Sequence, residues 1–375
     1  MPAGLTPERI ARVYRRIEEQ GLPRPDALLL LNGTEPHLDL SFFYLTALEE
    51  GLFEGCLFLA RADGSAVLFT SPLEEELAKR GADGYRVVPF REKEELRGLL
   101  RAELGSTEGL RIGVNGAELT YEGFKQLEGL LQGASFVDIS KALQRARMVK
   151  DAHELEAIRK ACEIASRAYS AVLEAVSEGI REYELAAELC YRMQRLGASA
   201  PAFEPIVGFG PNSALPHHVS GASPLKRGDV VLVDYGAKFS RYNSDITRTF
   251  FFGPPGKELR RMYEVVLEAN RLGLEALEAG STSAEVHRRV ASYIDSTEFK
   301  GRFVHSTGHG LGLAVHDGGR LHSSEQLTIE EGMVFTVEPG VYVPGLGGVR
   351  IEDVAVAKRG GREVLTTATK ELLVL

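Results

Sequence analysis

The stretch HSTGHGLGLAVHD, residues 305–317, sets His305, His309 and His316 in a glycine-broken loop that can be neither a regular helix nor a long strand. Imidazole is the commonest metal ligand and the side chain that most readily moves a proton near neutral pH. The glycines between let backbone and substrate approach closely. Four carboxylates lie in otherwise apolar, strand-like segments: Asp234 in VVLVDYG, Asp245 in NSDITRTF, Glu338 in MVFTVEPG and Glu352 in VRIEDV. A buried carboxylate without a partner is expensive even after relaxation. A pair of divalent cations would answer for all four acids together, because four carboxylates and two M²⁺ ions are neutral overall. One imidazole with four oxygen-donor residues is a borderline-hard set, suited to Mn²⁺, Co²⁺, Fe²⁺ or Zn²⁺ rather than to a thiolate-type zinc site. The competing expectation is that the acids form buried salt bridges with Arg248, Arg350 and Lys238, which leaves the histidine loop without a role. Asp353 follows Glu352 directly, so on a regular strand it points to the opposite face and stands outside the ligand set.

The elements that must position these residues are legible in outline. Thr6 with Pro7 and Glu8 opens a helix with Ile10, Val13 and Ile17 at helical spacing. Strand-length apolar runs follow at 27–33, 56–71, 85–90, 110–116 and 136–140, the second broken by Asp63-Gly64, a hairpin signal. Charged helical patterns lie between the others, as in an α/β sandwich. The segment TEPHLDLSFFYL, 34–45, reads as a loop leading into a partly buried strand, with a functional lid as the alternative. From His153 to Ser177 an amphipathic helix places Leu155, Ile158, Cys162, Ile164, Ala168 and Val172 on one side. A second helix (182–197) and strands (204–210, 230–239, 244–253) come next. The order then repeats, with helices near 257–277 and 283–295 and strands at 333–340 and 349–357. Two such halves predict a duplicated α+β domain.

Composition narrows the function further. Over 375 residues, 44% hydrophobic and 26% charged content is that of a globular protein of two domains. A net charge of −9 with no long Lys/Arg run argues against a nucleic-acid surface. Cys56, Cys162 and Cys190 have no ligand spacing and fit a reduced, cytoplasmic setting. The opening MPAGLTPERIARVYRRIEEQ carries charges where a signal peptide needs an apolar run, and no run is long enough to cross a bilayer. We therefore expect no membrane partner. His37, His153, His287 and His322 read as solvated or helix-surface residues.

The segments PNSALPHH, DYG…NSDITRTF, HSTGHGLGLAVHD, EPGVY and GVRIED, in that order and spacing, resemble the metallopeptidases of the pita-bread fold. Within them they are most similar to the proline-specific branch, prolidase and aminopeptidase P. The resemblance spans roughly residues 145–358, and the part before it is similar to the creatinase-type N-terminal α/β domain. It implies a creatinase-like domain at 1–142 and a pita-bread catalytic domain at 143–375. It also implies two divalent ions, with Mn favoured over Co or Zn. Asp234 would bind one, Asp245 and Glu352 would bridge both, and His309 and Glu338 would complete the second. His217, His316 and Glu338 take catalytic roles by the same resemblance; His305, Tyr342 and Arg350 line the proline pocket. Thr247 would orient ligands, and His218 is a bystander. The implied reaction is hydrolysis of the Xaa-Pro bond at the N-terminus of dipeptides or short peptides by a metal-bridging hydroxide, in a homodimer. GHG at His309 is similar to dipeptidases and VHD at His316-Asp317 to aminopeptidase P, so substrate length stays open. Rival expectations are a methionine aminopeptidase-like exopeptidase and a metal-free pita-bread binding module.

Overall fold

The apolar runs of the N-terminal part pair into one six-stranded sheet, in a computed structural model that describes residues 4–375. Two units divide between Arg147 and Met148. In the first, Ala27–Leu31 lies between Leu57–Ala60, antiparallel to it, and Arg111–Val114, parallel to it. Ala66–Thr70 returns antiparallel to Leu57–Ala60 through the predicted turn, where Gly64 takes φ 87° and Asp63 Oδ1 accepts from the Ser65 N–H at 2.9 Å. Arg86–Pro89 and Ser135–Asp138 form the two parallel edges. Helices Lys93–Leu104 and Tyr121–Leu130 supply Leu96, Leu100, Leu127 and Leu130 to a core shared with Leu29, Leu59, Phe69 and Ile112.

Segment 34–45 differs from the strand expected there. Leu40–Thr46 is a short helix in which Phe42, Phe43, Tyr44 and Leu45 are all buried. Asp39 decides the matter, because its carboxylate accepts from the Ser41 N–H at 2.7 Å and from Asn115 Nδ2 at 2.8 Å. That is an N-cap, which turns the following residues into a helix. Continuous apolarity in LSFFYL carries neither a period of two nor one of 3.6, so the cap was the deciding signal.

In the second unit, two helices precede antiparallel strands, and then the arrangement recurs. Ala152–Val172 starts at a capping box, Asp151 accepting from the Glu154 N–H at 2.9 Å and Glu154 from the Asp151 N–H at 3.0 Å. Its predicted apolar stripe is buried, and it gives way to a 3₁₀ turn, Leu173–Ala175, short of Ser177. With Glu182–Arg195 it packs Ile164, Tyr169, Leu185 and Leu189 on Val207, Val231 and Val233 of the sheet Ile206–Phe209, Val230–Tyr235 and Ile246–Phe251. Helices Lys257–Ala276 and Ser283–Asp295 cover Val341, Val349 and Ile351 in the same way. The strands of this second half run Val334–Val337, Gly340–Val343, Gly347–Arg350, Asp353–Lys358 and Gly361–Val364. The architecture is thus the α+β one that the chain order predicts. Among the described residues no helix is long and apolar enough to cross a membrane.

Candidate metal centre and active site

All five candidate ligands lie in the second unit, each in or next to a strand. Asp234 sits in Val230–Tyr235 opposite Thr247, and Asp245 directly precedes Ile246–Phe251. His309 ends the two-residue strand Gly308–His309; Glu338 follows Val334–Val337; Glu352 separates Gly347–Arg350 from Asp353–Lys358. A Cβ at Gly308 would run into the Thr336 carbonyl, so only glycine lets the His309 strand lie this close to Val334–Val337. Asp245, His309 and Glu352 each bring one ligand atom within 4.8 Å of the others. His309 Nε2 also stands 3.4 Å from Glu338 Oε1 and 3.6 Å from Asp245 Oδ2. Asp234 belongs to the same electrostatic cluster, its charge raising the carboxyls of Asp245, Glu338 and Glu352.

Electrostatics set these acids apart from solvated carboxylates. Burial, with repulsion from neighbouring acids, pushes Asp245 and Glu352 well above the carboxylate range. Glu338 rises to about 8, burial outweighing the attraction of Arg350. Asp234 Oδ1, Asp245 Oδ1 and Glu352 Oε1 are buried with no hydrogen-bond partner among the described residues. His309 Nδ1 faces the Gly310 carbonyl at 3.2 Å and therefore carries the ring hydrogen. Burial and the neighbouring His316 push His309 down to about 3, so at neutral pH its Nε2 holds only a lone pair. That lone pair points at Glu338 and Asp245, so His309 offers neither acid an N–H. This donor set, one imidazole and four carboxylates, fits divalent metal ions.

Among the described residues the salt-bridge expectation holds at one position. Arg350 Nη2 donates to Asp234 Oδ2, whereas Arg248 reaches past the cluster to Asp353 Oδ1 at 2.9 Å. Lys370 also pairs with Asp353, at 2.6 Å, so the charge on the opposite face of the strand is already neutralised. Thr247 ties the site together, its hydroxyl accepting from Arg350 Nε at 3.1 Å and donating to Glu352 Oε2 at 2.7 Å. Tyr342 accepts from Arg350 Nη1 at 2.8 Å and donates to His305 Nε2 at 2.8 Å. His305 Nδ1 in turn donates to the Ser306 carbonyl at 2.8 Å, which settles its tautomer. Burial, followed by Arg350, holds His305 down at about 4. Arg350, Tyr342 and His305 therefore form one connected wall.

The remaining two imidazoles stand at the rim. The His316 ring lies 4.0 Å from that of His309, centroid to centroid. Burial of its inner edge, then Arg320 and His217, lower its pKa. His217 is exposed in the loop after the 3₁₀ turn Gly210–Ala214, close enough for its charge to act on both His305 and His316. The structure thus gathers every candidate site residue into this one unit.

Three roles escaped the sequence reading. The Thr336 hydroxyl accepts from the His309 N–H at 3.0 Å and donates to Glu338 Oε1 at 3.1 Å. The strand period, which puts residues i and i+2 on one face, could have found it. His287 is not a solvated helix residue: it is half-buried, with Nδ1 3.0 Å from Thr307 Oγ1 and its ring 5.0 Å from that of His322. His218, expected to be a bystander to the chemistry, is half-buried and its Nε2 donates to Glu182 Oε2 at 2.9 Å. His37 and His153 are exposed, as expected.

Residues 156–359 match metallopeptidase family M24, and residues 9–149 match the creatinase/prolidase N-terminal domain. The Xaa-Pro dipeptidase of Pyrococcus furiosus is 40% identical over 308 residues, which cover 82% of this chain and 86% of that one. The chain belongs to metallopeptidase family M24, among its Xaa-Pro peptidases. As a member of that family it is an enzyme that uses divalent metal ions. Among solved M24-type structures, its fold is similar to the Xaa-Pro dipeptidase from Bacillus anthracis, with a TM-score of 0.88 and 33% identity over 99% of this chain and 100% of that chain. It is similar also to the X-Pro aminopeptidase from Thermotoga maritima MSB8, with a TM-score of 0.87 and 30% identity over 96% and 100% of the two chains.

Proposed function

We propose that this chain hydrolyses the Xaa-Pro bond at the N-terminus of dipeptides or short peptides, using two divalent metal ions. The observation that carries the reading is the bare Nε2 of His309 facing Glu338 and Asp245, beside buried carboxylate oxygens with no hydrogen-bond partner among the described residues. Asp234 would hold one ion, Asp245 and Glu352 both, and His309 with Glu338 the second. Mn²⁺ is favoured over Co²⁺ or Zn²⁺ on the hardness of the carboxylates. When bound, such a pair acidifies a water toward neutral pH and polarises the carbonyl before proline.

The protein's own groups divide the remaining work. His217 and His316, at the rim, offer ring N–H groups to the negative charge that develops on the carbonyl oxygen. Glu338, steadied at Oε1 by Thr336, accepts the nucleophile's proton and passes it to the leaving imino nitrogen. The scissile amide nitrogen of proline carries no hydrogen, so recognition falls to a pocket shaped for its ring. His305, Tyr342 and Arg350 would supply that wall, held rigid by their mutual hydrogen bonds. We place the enzyme as a cytoplasmic homodimer, a setting consistent with three free cysteines.

A substrate panel tests the proposal: Xaa-Pro dipeptides, Xaa-Pro-Yaa tripeptides and Met-Ala-Ser, each with Mn²⁺, Co²⁺ or Zn²⁺. Metal-dependent release of Ala from Ala-Pro or Ala-Pro-Pro, with Met-Ala-Ser intact, is expected, and the ratio of the two proline substrates fixes the length preference. Cleavage of Met-Ala-Ser alone would move the chain to the methionine aminopeptidase reading. A purified chain that holds no transition metal and is not stabilised by Mn²⁺ or Co²⁺ would move it to the binding module.

A further inference from the structure

Glu182 looks unremarkable in sequence, an acid in the first turn of the helix Glu182–Arg195, yet its side chain is wholly buried. Its two oxygens are filled completely. Oε1 accepts from the Phe209 N–H and from Asn212 Nδ2, and Oε2 from His218 Nε2 and the Gly221 N–H, all at 2.9 Å. The hydrogen bonds hold this carboxyl below its ordinary range in spite of burial. These donors fall at both ends of one loop, 209 and 212 before His217 and 218 and 221 after it. The carboxylate therefore clasps the loop closed at its base and leaves His217 at the exposed tip.

The rest of the loop is fixed to match. His218 N–H donates to the Leu215 carbonyl at 3.1 Å, making the turn on which His217 rides. Asn212 Nδ2 reaches Ser223 Oγ at 2.9 Å, and the Tyr183 N–H reaches the Gly221 carbonyl at 3.1 Å. On the other side Ser213 Oγ accepts from the Gly348 N–H at 2.8 Å, and a Cβ at Gly348 would strike the Ser213 backbone. The loop is thus seated on the strand Gly347–Arg350, whose last residue, Arg350, is part of the His305 wall.

We propose that Glu182, with His218 as its imidazole partner, is a positioning residue that sets His217 over the reacting carbonyl. The inference rests on the substrate-side role proposed for His217. Glu182→Gln keeps size but replaces one acceptor oxygen with an N–H₂, which faces two of the four donors, so the clasp opens on one side.

A double-mutant cycle on Ala-Pro hydrolysis by the Mn²⁺-loaded enzyme tests this, with bound metal measured on each variant. Glu182→Gln is expected to lower kcat/KM roughly 10- to 100-fold in the otherwise unaltered enzyme and less than twofold in a His217→Ala background, metal content being unchanged. An equal loss in both backgrounds, or none in the first, overturns the proposal. A His217→Ala variant as active as the parent would instead remove the role of His217 itself. Imidazole-labelled protein read by NMR gives a measure that does not depend on turnover. There the substitution should shift the His217 and His218 signals and leave His305 and His309 in place, and an unmoved His217 signal again overturns the proposal. If Glu182→Gln does not fold, His218→Ala, which leaves Glu182 three donors, carries the same cycle, with the shift of the His217 signal as its spectroscopic readout.

Discussion

Replacing Thr247 with valine should weaken metal binding by roughly five- to tenfold while serine leaves it unchanged, and the size of that effect follows from who holds the protons. Valine has the shape of threonine but lacks the hydroxyl that donates to Glu352 Oε2 at 2.7 Å and accepts from Arg350 Nε at 3.1 Å. Burial and the neighbouring acids Glu338 and Asp234 drive Glu352 well above the carboxylate range in the metal-free protein, which favours its neutral form, so Thr247 there serves a carboxyl with little charge. Metal binding ionises Glu352 and converts this into a charge-assisted hydrogen bond, about twice as strong as a neutral one. A neutral bond is worth roughly 1 kcal/mol net, so the difference between the two states is about 1 kcal/mol or a little more, which sets the change in Kd. Titration of the metal-stripped protein with Mn²⁺ in a calorimeter, at a pH held near 7, reads it directly. Wild-type affinity in Thr247→Val, or an equal loss in Thr247→Ser, would show that the hydroxyl does not act through the ionised Glu352.

Other outcomes are equally definite. His309→Ala and Glu338→Ala should each abolish hydrolysis of Ala-Pro and Ala-Pro-Pro with the far-ultraviolet circular dichroism of the parent retained; activity surviving either change refutes the ligand assignment. Stripping the metal should lower the thermal midpoint, and Mn²⁺ at a hundred times its Kd should restore about 2.7 kcal/mol at 25 °C. The metal-free protein should also lose stability as pH rises from about 6.5 to 8. A carboxyl raised when folded, such as Glu338 at about 8, stabilises fully below its unfolded value and loses that contribution as pH rises through the folded one. His305 and His309, held down at about 4 and 3, work in the opposite sense, but only up to the ordinary histidine value near 6.5. Thermal melts in EDTA across that window check the sign, and a midpoint that rises toward pH 8 contradicts the carboxyl cluster.

What the sequence disclosed, and what it withheld, follows from the range of the forces involved. Acids embedded in VVLVDYG and VRIEDV announce themselves because local apolarity makes their ionisation costly wherever the strand ends up. Asp353 could be set aside from its neighbour Glu352 by the strand period alone, and it does pair elsewhere, with Arg248 and Lys370. The helix Ala152–Val172 was visible through its stripe, while its early finish at Val172 was not, no glycine or proline marking that end. Glu182 was beyond reach for a different reason: its partners lie 27 to 39 residues away, and a glutamate in a helical first turn is ordinarily a surface residue. The helix Leu40–Thr46 was misread because the cap that makes it is completed by Asn115, 76 residues on.

The two halves of the catalytic unit share out the ligands, Asp234 and Asp245 coming from the first, His309, Glu338 and Glu352 from the second. Ions bound between them would therefore also join the halves, and the question is whether the halves part when the ions leave. Hydrogen bonds beside the centre say they do not. The Glu352 N–H donates to the Thr247 carbonyl at 3.1 Å, the Thr249 hydroxyl donates to the Arg350 carbonyl at 2.9 Å, and the Arg350 N–H returns to that hydroxyl at 3.2 Å. Arg248, buried beside them, adds a charged link from the first half to Asp353 in the second. None of these bonds uses a metal ligand's side chain. The fold is carried by this seam, and the acids next to it are free to be arranged for chemistry. Losing the ions then costs the geometry of the site and a share of its stability, while the joined halves stay joined.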